Sequence, residues 1–290
     1  MPSYVAITPT RNEAENLRRL AACMLEQTQP VSQWIIVDNG STDATVAIAN
    51  ELAEKHPWIT LLEVPGMPNP TRGAPVVRAF HAGVDALTER ADVVVKLDAD
   101  VSFGPDHFAR LLDAFEREAM LGIGGGTSLE RQRDGSWRPD RLTGDHVRGS
   151  VRAYRWECLH EVMPLEAHMG WDGIDEMKAQ VRGWETRTLK GLVYYHHRVM
   201  GAREHKCVKW FREGDLAHFM GYRASYLLVR TVYHTFHELS AVAMVAGFVT
   251  AAVKQQPRCS EKAAILELQR QQSLLMLPSR IREKLGVGTA

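Results

Sequence analysis

Apolar runs alternate with stretches of helical periodicity along the first hundred residues of the chain. After the first run, for example, Leu17, Leu20 and Met24 recur on one helical face. Strands buried on both sides of a parallel sheet read as continuous apolar runs, and the helices that connect them read as amphipathic segments. The pattern predicts an α/β fold, a mostly parallel sheet flanked by helices, with strands at 4–8, 34–37, 59–64 and 92–97.

Polar residues mark the expected ends of the first two helices. Asn12, with Glu15 three residues later, is expected to cap the first helix. Ser41 or Thr42 is expected to cap the second, and Pro57 to end it.

The pattern is less regular after residue 104. The glycine-rich stretch 122–126 predicts a strand end or a close backbone approach. The polar stretch 132–149 is expected to form a mobile loop, and it precedes a predicted helix at 174–182 and a predicted strand at 192–195. Only helical periodicity follows, which predicts a first domain of residues 1–205 and a helical extension of residues 206–290.

Composition and charge exclude several classes of protein. Hydrophobic residues make up 45% of the 290 residues and charged residues 24%, so the chain is not a disordered or collagen-like one. Lysines and arginines number 35, as do the acids, so no global field attracts nucleic acid or an anionic membrane. Recognition by charge must therefore be local, and no nucleic-acid partner is expected.

The four cysteines lie far apart, without a C-x-x-C spacing, so neither a zinc knuckle nor a disulfide framework is indicated. The N-terminal residues lack the pattern of a secretory signal, and a cytoplasmic setting, at most at the inner face of a membrane, is expected. The apolar run 239–253 is shorter than the roughly 20 residues of a membrane-spanning helix. It is expected to form a helix buried on all sides or one at an interface.

Polar, acid-bearing turns follow three of the predicted strands, at 8–13, 38–43 and 98–100. Because ligands of open parallel sheets bind at the carboxyl ends of the strands, we expect these turns to share one edge. Ordinary turn and cap preferences account for Asn12, Ser41 and Asp43, but not for Asp38 and Asp98 at the ends of apolar runs.

Asp98 and Asp100 are candidate ligands of a divalent cation. Two carboxylates one residue apart at a strand end suit Mg²⁺ or Mn²⁺. A D-x-D triplet arises about once by chance in a chain of this length, so its position carries the prediction. The chain has neither the G-x-G-x-x-G loop of NAD enzymes nor a P-loop.

The ordered set of motifs at 8–13, 37–43 and 97–100 resembles the signatures of family 2 glycosyltransferases, over roughly residues 1–205. The resemblance implies the GT-A fold and transfer of a sugar from a UDP, GDP or dTDP sugar with Mn²⁺ or Mg²⁺. Asp100 would hold the metal, and Asp98 the metal or the ribose. The donor-binding residues that it implies are Thr8, Thr10, Asn12, Glu13, Asp38, Asn39, Asp98 and Ala99.

Arg72 and Arg78 resemble the stretch in which the family carries an Asn-x-Gly and a following Arg-Asn pair. The residues here depart from the family motif, because Arg72 replaces the usual Asn and Ala79 stands where a second Asn is common. Either arginine could pair with phosphate through its planar guanidinium group. A solvated helix-face arginine is an equally good interpretation of Arg78.

The late acidic stretch 170–176 resembles the motif that supplies the catalytic base of the family. Asp172 is the first candidate for the base and Asp175 the second. Glu176 is expected only to complement the dipole of the following helix.

His196, His197 and Arg198 follow the last predicted strand. By resemblance, His197 rather than His196 is the candidate third metal ligand. Arg198 is a candidate contact of the diphosphate.

The extension combines basic and aromatic residues. Such a surface suits a membrane and a lipid-linked acceptor, but packing over the first domain or a homodimer interface fits it equally. The acceptor class stays open among glycans, lipid-linked acceptors and small molecules.

The sequence as a whole predicts an inverting, metal-dependent glycosyltransferase, of the kind used in polysaccharide or glycolipid synthesis. One alternative is a nucleotidyltransferase acting on a sugar phosphate, which the glycine-free, acidic turn 10–13 disfavours. The other is a non-catalytic nucleotide-binding scaffold, which the presence of Asp100 and the late carboxylates disfavours.

Overall fold

The computed structural model describes residues 1–67, 71–132, 134–139, 146–198 and 205–273. The chain divides into two compact units, Met1–Val199 and Met200–Ala290.

The first unit is built on a nine-stranded sheet. Its strands are β1 (Tyr4–Thr10), β2 (Gln33–Asp38), β3 (Ile59–Glu63), β4 (Val93–Leu97), β5 (Val101–Ser102), β6 (Leu121–Arg131), β7 (Trp137–Pro139), β8 (Val151–Arg155) and β9 (Glu185–His196). They lie in the order β3-β2-β1-β4-β8-β6-β9-β5, with β7 paired to β6. Strands β3, β2, β1 and β4 are parallel, so their carboxyl ends share one edge, and β8 pairs antiparallel with β4 and β6.

Helices cover both faces of this sheet. They are α1 (Ala14–Leu25), α2 (Thr45–Lys55), α3 (Ala74–Asp85), α4 (His107–Arg117), α5 (Trp156–Val162) and α6 (Trp171–Val181). Alternate side chains of a strand point to opposite faces. In β1, Tyr4 and Ala6 accordingly join the core beneath α1, α2 and α4, whereas Val5 and Ile7 join the core beneath α3, α5 and α6. The predicted α/β fold is confirmed.

The predicted helix caps are wrong. Asn12 has a φ of +56° and its side chain accepts a hydrogen bond from the Thr42 backbone N–H at 2.8 Å. The Ser41 hydroxyl accepts from the Asn12 N–H at 2.9 Å, and the Asp43 carboxylate accepts from the N–H of Thr45 at the start of α2. The turns after β1 and β2 thus bind each other, and this non-local contact replaces two local caps.

Three strands between residues 120 and 156, β6, β7 and β8, extend the sheet beyond the prediction. The glycine-rich stretch lies inside β6, where a Cβ on Gly125 would come within 2.7 Å of the Val151 carbonyl oxygen, so the predicted close approach is confirmed. Strand β8 was not predicted. Of the predicted mobile loop 132–149, residues 137–139 form β7, while 133 and 140–145 lie outside the described residues.

The described part of the second unit, residues 205–273, is helical and contains no strand. It comprises α7 (Lys206–Phe219), α8 (Ala224–Thr235), a 3-10 helix (Leu239–Val242), α9 (Ala243–Val253) and α10 (Lys262–Gln271). Helices α7 and α9 approach closely at Gly214 and Gly247, around a small core that includes Trp210 and Met244.

Of the two interpretations of the run 239–253, the fully buried helix is wrong, and a helix at an interface stays a prediction. Leu239 is 80% exposed and Val253 is 76% exposed. Among the described residues, every helix is too short or too polar to cross a membrane.

Candidate functional site

The turn after β2 is shaped by the carboxylate of Asp38. Its Oδ2 accepts hydrogen bonds from the backbone N–H groups of Gly40 at 3.0 Å and Ser41 at 2.9 Å, and its Oδ1 accepts from the Ser41 hydroxyl. Turn formation, which the sequence interpretation set aside for Asp38, therefore accounts for its conformation. The carboxylate is 2% exposed.

The two threonines at the end of β1 serve the sheet. The fully buried Thr8 accepts a hydrogen bond from the indole N–H of Trp34 at 2.8 Å. Thr10 donates to the carbonyl oxygen of Val37 at 3.2 Å and is 3% exposed. Both hydroxyls are thus engaged within the sheet, and contact of Thr8 and Thr10 with a donor stays a prediction.

Glu13 and Asn39 complete this part of the edge. The carboxylate of Glu13 accepts from Asn16 Nδ2 at 2.7 Å and from the guanidinium group of Arg198. Asn39 is buried, and its backbone N–H donates to the Thr10 carbonyl at 2.9 Å. The turns after β1 and β2 are thereby joined to Arg198, two residues past the end of β9.

Lys96 explains the position of Asp98. Its Nζ lies 2.5 Å from Asp98 Oδ1 and 2.6 Å from the carbonyl oxygen of Gly149. Burial raises the pKa of Asp98, repulsion from Asp100 adds to the rise, and Lys96 opposes it. Ala99, between the two acids, is 3% exposed.

Asp100 is paired through both carboxylate oxygens. Oδ1 lies 3.4 Å from His196 Nε2, and Oδ2 lies 3.0 Å from Arg198 Nε. Burial would raise the pKa of Asp100, but the hydrogen bond and charge of His196, with Arg198, lower it overall.

The structure places His196, and not His197, beside Asp100, while the metal-ligand role of either histidine stays a prediction. His197 Nε2 lies 2.7 Å from Ser102 Oγ, and its ring packs edge-on against Trp137. His196 faces Asp100 instead, because it ends β9 opposite Val101 and successive side chains of a strand point to opposite faces.

The residues at this edge fit a cation that binds together with a phosphate-bearing ligand. Within the described ranges, no group of three or more His, Cys, Asp or Glu side chains could hold a metal ion. Asp100 and His196 nevertheless converge as a carboxylate and an imidazole, donors that suit Mn²⁺. Mg²⁺ commonly takes one or two protein carboxylates and completes its shell with substrate phosphates and water.

The three acids of α6 have different environments. Asp175 is 1% exposed, with Oδ1 2.5 Å from an Arg152 nitrogen and Oδ2 2.5 Å from the Tyr154 hydroxyl. Glu176 accepts from the Val147 N–H at 2.7 Å and pairs with Arg152, so the expectation that it only complements the helix dipole is wrong. Asp172 alone is partly exposed, at 24% of its side chain.

These environments separate the pKa values of the two candidate bases. Burial raises the pKa of Asp175 to about 7, although Arg152 opposes the rise. Burial also acts to raise the pKa of Asp172, but the positive charge of His146, whose Nε2 lies 3.6 Å from Asp172 Oδ2, lowers it to about 2.

Gly149 connects α6 with the end of β4. Its carbonyl accepts from Lys96, and a Cβ on it would lie 2.7 Å from the Trp171 ring and 3.4 Å from Asp172 Oδ2. Lys96 Nζ also lies 5.4 Å from the centroid of that ring. Asp172 and Asp98 therefore flank one small group of residues.

The turn that carries Arg72 packs on the segment before α6. Gly73 has a φ of +89°, and a Cβ on it would come within 2.6 Å of the backbone of His168 and Met169. Arg72 and Arg78 are both exposed. The structure thus brings this turn towards the start of α6.

Sequence reasoning missed three residues of the site, Lys96, His146 and Arg152, and it ranked His196 behind His197. Lys96 had a signal, since a charged residue inside an apolar strand run must find a partner. Arg152 had none, because its strand β8 was not predicted. His146 had none, because it lies in the polar stretch expected to be a loop.

Comparisons with known proteins agree with this architecture. The chain is 33% identical over 178 residues to a polyprenol monophosphomannose synthase of Mycolicibacterium smegmatis, covering 54% of this chain and 63% of that protein. It is 36% identical over 121 residues to an undecaprenyl-phosphate mannosyltransferase of Micrococcus luteus, covering 41% and 46% respectively. The chain therefore spans less than two thirds of the length of these curated relatives.

The fold is that of the GT-A glycosyltransferases. A mannosyltransferase of Pyrobaculum calidifontis, solved in complex with GDP-Man and Mn²⁺, superimposes with a TM-score of 0.57 at 18% identity. The match covers 97% of this chain and 84% of that one. The sequence model of the family described as Glycosyl transferase family 2 matches residues 5–164, more than half of the chain. The chain belongs to glycosyl transferase family 2.

Proposed function

We propose that this protein is an inverting, metal-dependent glycosyltransferase that moves a sugar from a nucleotide diphosphate sugar to an acceptor O–H. One observation carries the proposal: shared partners bring the acids of the strand ends close to the late acid Asp172. Arg198 joins Asp100 to Glu13, and Lys96 joins Asp98 to Gly149 beside Asp172.

The proposed donor is a GDP or UDP hexose, with GDP-mannose as the first candidate. The names of two relatives and of one solved structure refer to mannose transfer. The edge formed by the turns after β1, β2 and β4 would hold the nucleotide, and the guanidinium group of Arg198 would donate hydrogen bonds to a phosphate.

Asp100 and His196, with Asp98 beside them, would hold the divalent cation. When bound, the cation would neutralise charge on the departing diphosphate. Lys96 keeps Asp98 in place, and the buried position of Asp100 limits competition from water for its oxygens.

Asp172 is the proposed general base. As the acceptor oxygen forms its bond to the sugar C1, the bond from C1 to the diphosphate oxygen breaks on the opposite face. Any proton on the attacking oxygen, that of a hydroxyl or the remaining proton of a phosphate monoester, passes to Asp172. Asp175 cannot take this role as it stands, because Arg152 and Tyr154 occupy both of its oxygens.

The proposed acceptor is lipid-linked, a polyprenyl phosphate by similarity to the named relatives. The apolar face of α8 supports contact with a membrane surface. Its exposed side chains are Leu228, Val229, Val232, Tyr233 and, just after the helix, Phe236. Helix α8 contains no acidic residue, and residues 205–273 hold nine lysines and arginines against five acids, which favours an anionic bilayer.

Flotation with vesicles tests the membrane contact. We expect the protein to float with phosphatidylglycerol vesicles and Val232→Glu to float less. The control Leu25→Glu, at an exposed position at the end of α1, should float like the wild type. Dimerisation through α8 without any vesicle binding would contradict the proposal.

A panel of nucleotide sugars with Mn²⁺ tests the activity. Polyprenyl phosphate and simple hydroxyl acceptors are offered side by side, and release of nucleoside diphosphate is measured. We expect release that depends on donor, acceptor and Mn²⁺. Release of pyrophosphate from a nucleoside triphosphate would indicate a nucleotidyltransferase instead.

A further inference from the structure

His146 lies between two carboxylates of α6. Its Nδ1 lies 2.8 Å from Glu176 Oε2, and its Nε2 lies 3.6 Å from Asp172 Oδ2. Carboxylate oxygens only accept hydrogen bonds, so an imidazole with both ring nitrogens turned towards them is favoured in its doubly protonated, cationic form.

Hydrogen bonds of the surrounding backbone fix the position of the His146 imidazole. The carbonyl oxygen of His146 accepts a hydrogen bond from the Thr188 hydroxyl of β9 at 2.8 Å. The next residue, Val147, donates its N–H to Glu176 Oε1 at 2.7 Å, and that oxygen lies 3.2 Å from an Arg152 nitrogen. Backbone and side-chain contacts therefore fix the ring, and three elements contribute to them.

We propose that His146 is the positioning residue of the catalytic base, holding Asp172 Oδ2 so that Oδ1 faces the acceptor. This inference rests on the proposed function. Among the described residues, no hydrogen bond or ion pair reaches Asp172 Oδ1, whereas both oxygens of Asp175 are engaged. The reacting proton goes to Asp172, and His146 acts only through that carboxylate.

The charges around His146 support this role. Burial alone would lower the pKa of His146, but Asp172 and Glu176 raise it to about 10, so the ring stays protonated at neutral pH. Arg152 and Arg148 add positive charge on the Asp172 side. Together these cations keep Asp172 ionised and hold it in one orientation.

His146→Gln tests the role in the full chain. Gln keeps a hydrogen-bond donor of similar size but no charge. We expect kcat to fall about 10- to 100-fold with the KM for the nucleotide sugar unchanged. We also expect the acid limb of the pH profile of kcat to move up by at least about one unit, because the pKa of Asp172 rises when its cationic partner is lost. The matched control is His160→Gln, since His160 is exposed on α5.

Imidazole NMR gives a reading that does not depend on catalysis. In the wild type we expect one imidazole, absent in His146→Gln, to remain protonated at pH 8, and we expect its pKa to fall in Asp172→Asn. Titration of His146 near its ordinary pKa of 6.5 in the wild type would overturn the proposal.

The two proposals fail differently. An active wild type together with a His146→Gln variant of unchanged kcat and pH profile overturns the role of His146 alone. A wild type that transfers no sugar from any donor overturns the proposed function, and the role of His146 with it.

Discussion

Arg198 binds the carboxylate of Asp100, with its Nε 3.0 Å from Oδ2. The same guanidinium group pairs with Glu13, so one arginine joins the ends of β1 and β9 to the residue proposed to hold a metal. The positive charge of Arg198 beside this carboxylate competes with any cation that binds the same oxygen. The guanidinium group of Arg198 is also well placed to exchange Asp100 for a phosphate once a donor binds.

Replacing Arg198 is expected to separate these two effects. In Arg198→Gln, the affinity for Mn²⁺ without donor should rise a few-fold because the competing cation is gone, and the KM for the nucleotide sugar should rise because a phosphate contact is lost. Titration calorimetry with Mn²⁺ alone measures the first effect. Arg117→Gln on α4 is the control, and weaker Mn²⁺ binding in Arg198→Gln would contradict the competition.

Asp172→Asn is expected to remove transfer while the protein stays folded. Loss of a general base typically costs 10²- to 10⁴-fold in rate, so kcat should fall by about that factor. Donor affinity, measured by titration calorimetry with the nucleotide diphosphate, should stay within about two-fold of the wild type. A fully active variant would show that the base lies elsewhere.

Asp175→Asn is expected to act on stability. It leaves the fully buried Arg152 without its closest carboxylate, and breaking one partner of a buried ion pair costs about 3–5 kcal/mol. Urea unfolding should show that loss, and Asp172→Asn should show much less. Equal stability of the two variants would contradict the division of roles between these acids.

The positions of the strand-end turns could be predicted from the sequence, because a buried parallel strand must end where the apolar run ends. The order of His196 and His197 could not, since a shift of one residue at the end of β9 moves a side chain to the opposite face. The predicted helix caps were wrong for a similar reason. Asn12 finds its partner at Thr42, 30 residues away, and local propensity carries no information about that contact.

The late acids show the same limit. The resemblance placed both Asp172 and Asp175 among the candidates, and their spacing alone does not separate them. What separates them is Arg152, on a strand that the sequence pattern did not reveal. The sequence thus identified the candidate acids, whereas the different roles of neighbouring acids depend on tertiary contacts.

Stability should depend on pH through His146 and Asp172. The pKa of His146 is raised from 6.5 to about 10, so its contribution is full below about pH 6.5 and lost as the pH rises through about 10. The pKa of Asp172 is lowered from 3.8 to about 2, so its contribution is present above about pH 4 and lost as the pH falls through about 2. Both contributions are therefore complete only between about pH 4 and 6.5.

Urea unfolding at about pH 6 and pH 9 checks this dependence. The free energy of unfolding of the wild type should fall more between these values than that of His146→Gln, which lacks the titrating ring. Parallel changes in the two proteins would show that other groups govern the alkaline limb.

Gly214 and Gly247 are expected to control the stability of the second unit. A Cβ on Gly214 would overlap the carbonyl oxygen of Met244 and come within 2.7 Å of the Phe248 nitrogen, and one on Gly247 would overlap the carbonyl oxygen of Phe211. Backbone cannot move aside as a side chain can, so Gly214→Ala must push α7 and α9 apart. We expect a loss of about 3 kcal/mol or more in the free energy of unfolding, at the upper end of overpacking effects.

Gly104→Ala is the matched control, because its new Cβ would meet only Asp106 Oδ1 at an ordinary 3.5 Å. Thermal unfolding followed by circular dichroism compares them, and a Gly214→Ala variant that melts with the control would show that the two helices do not pack this closely.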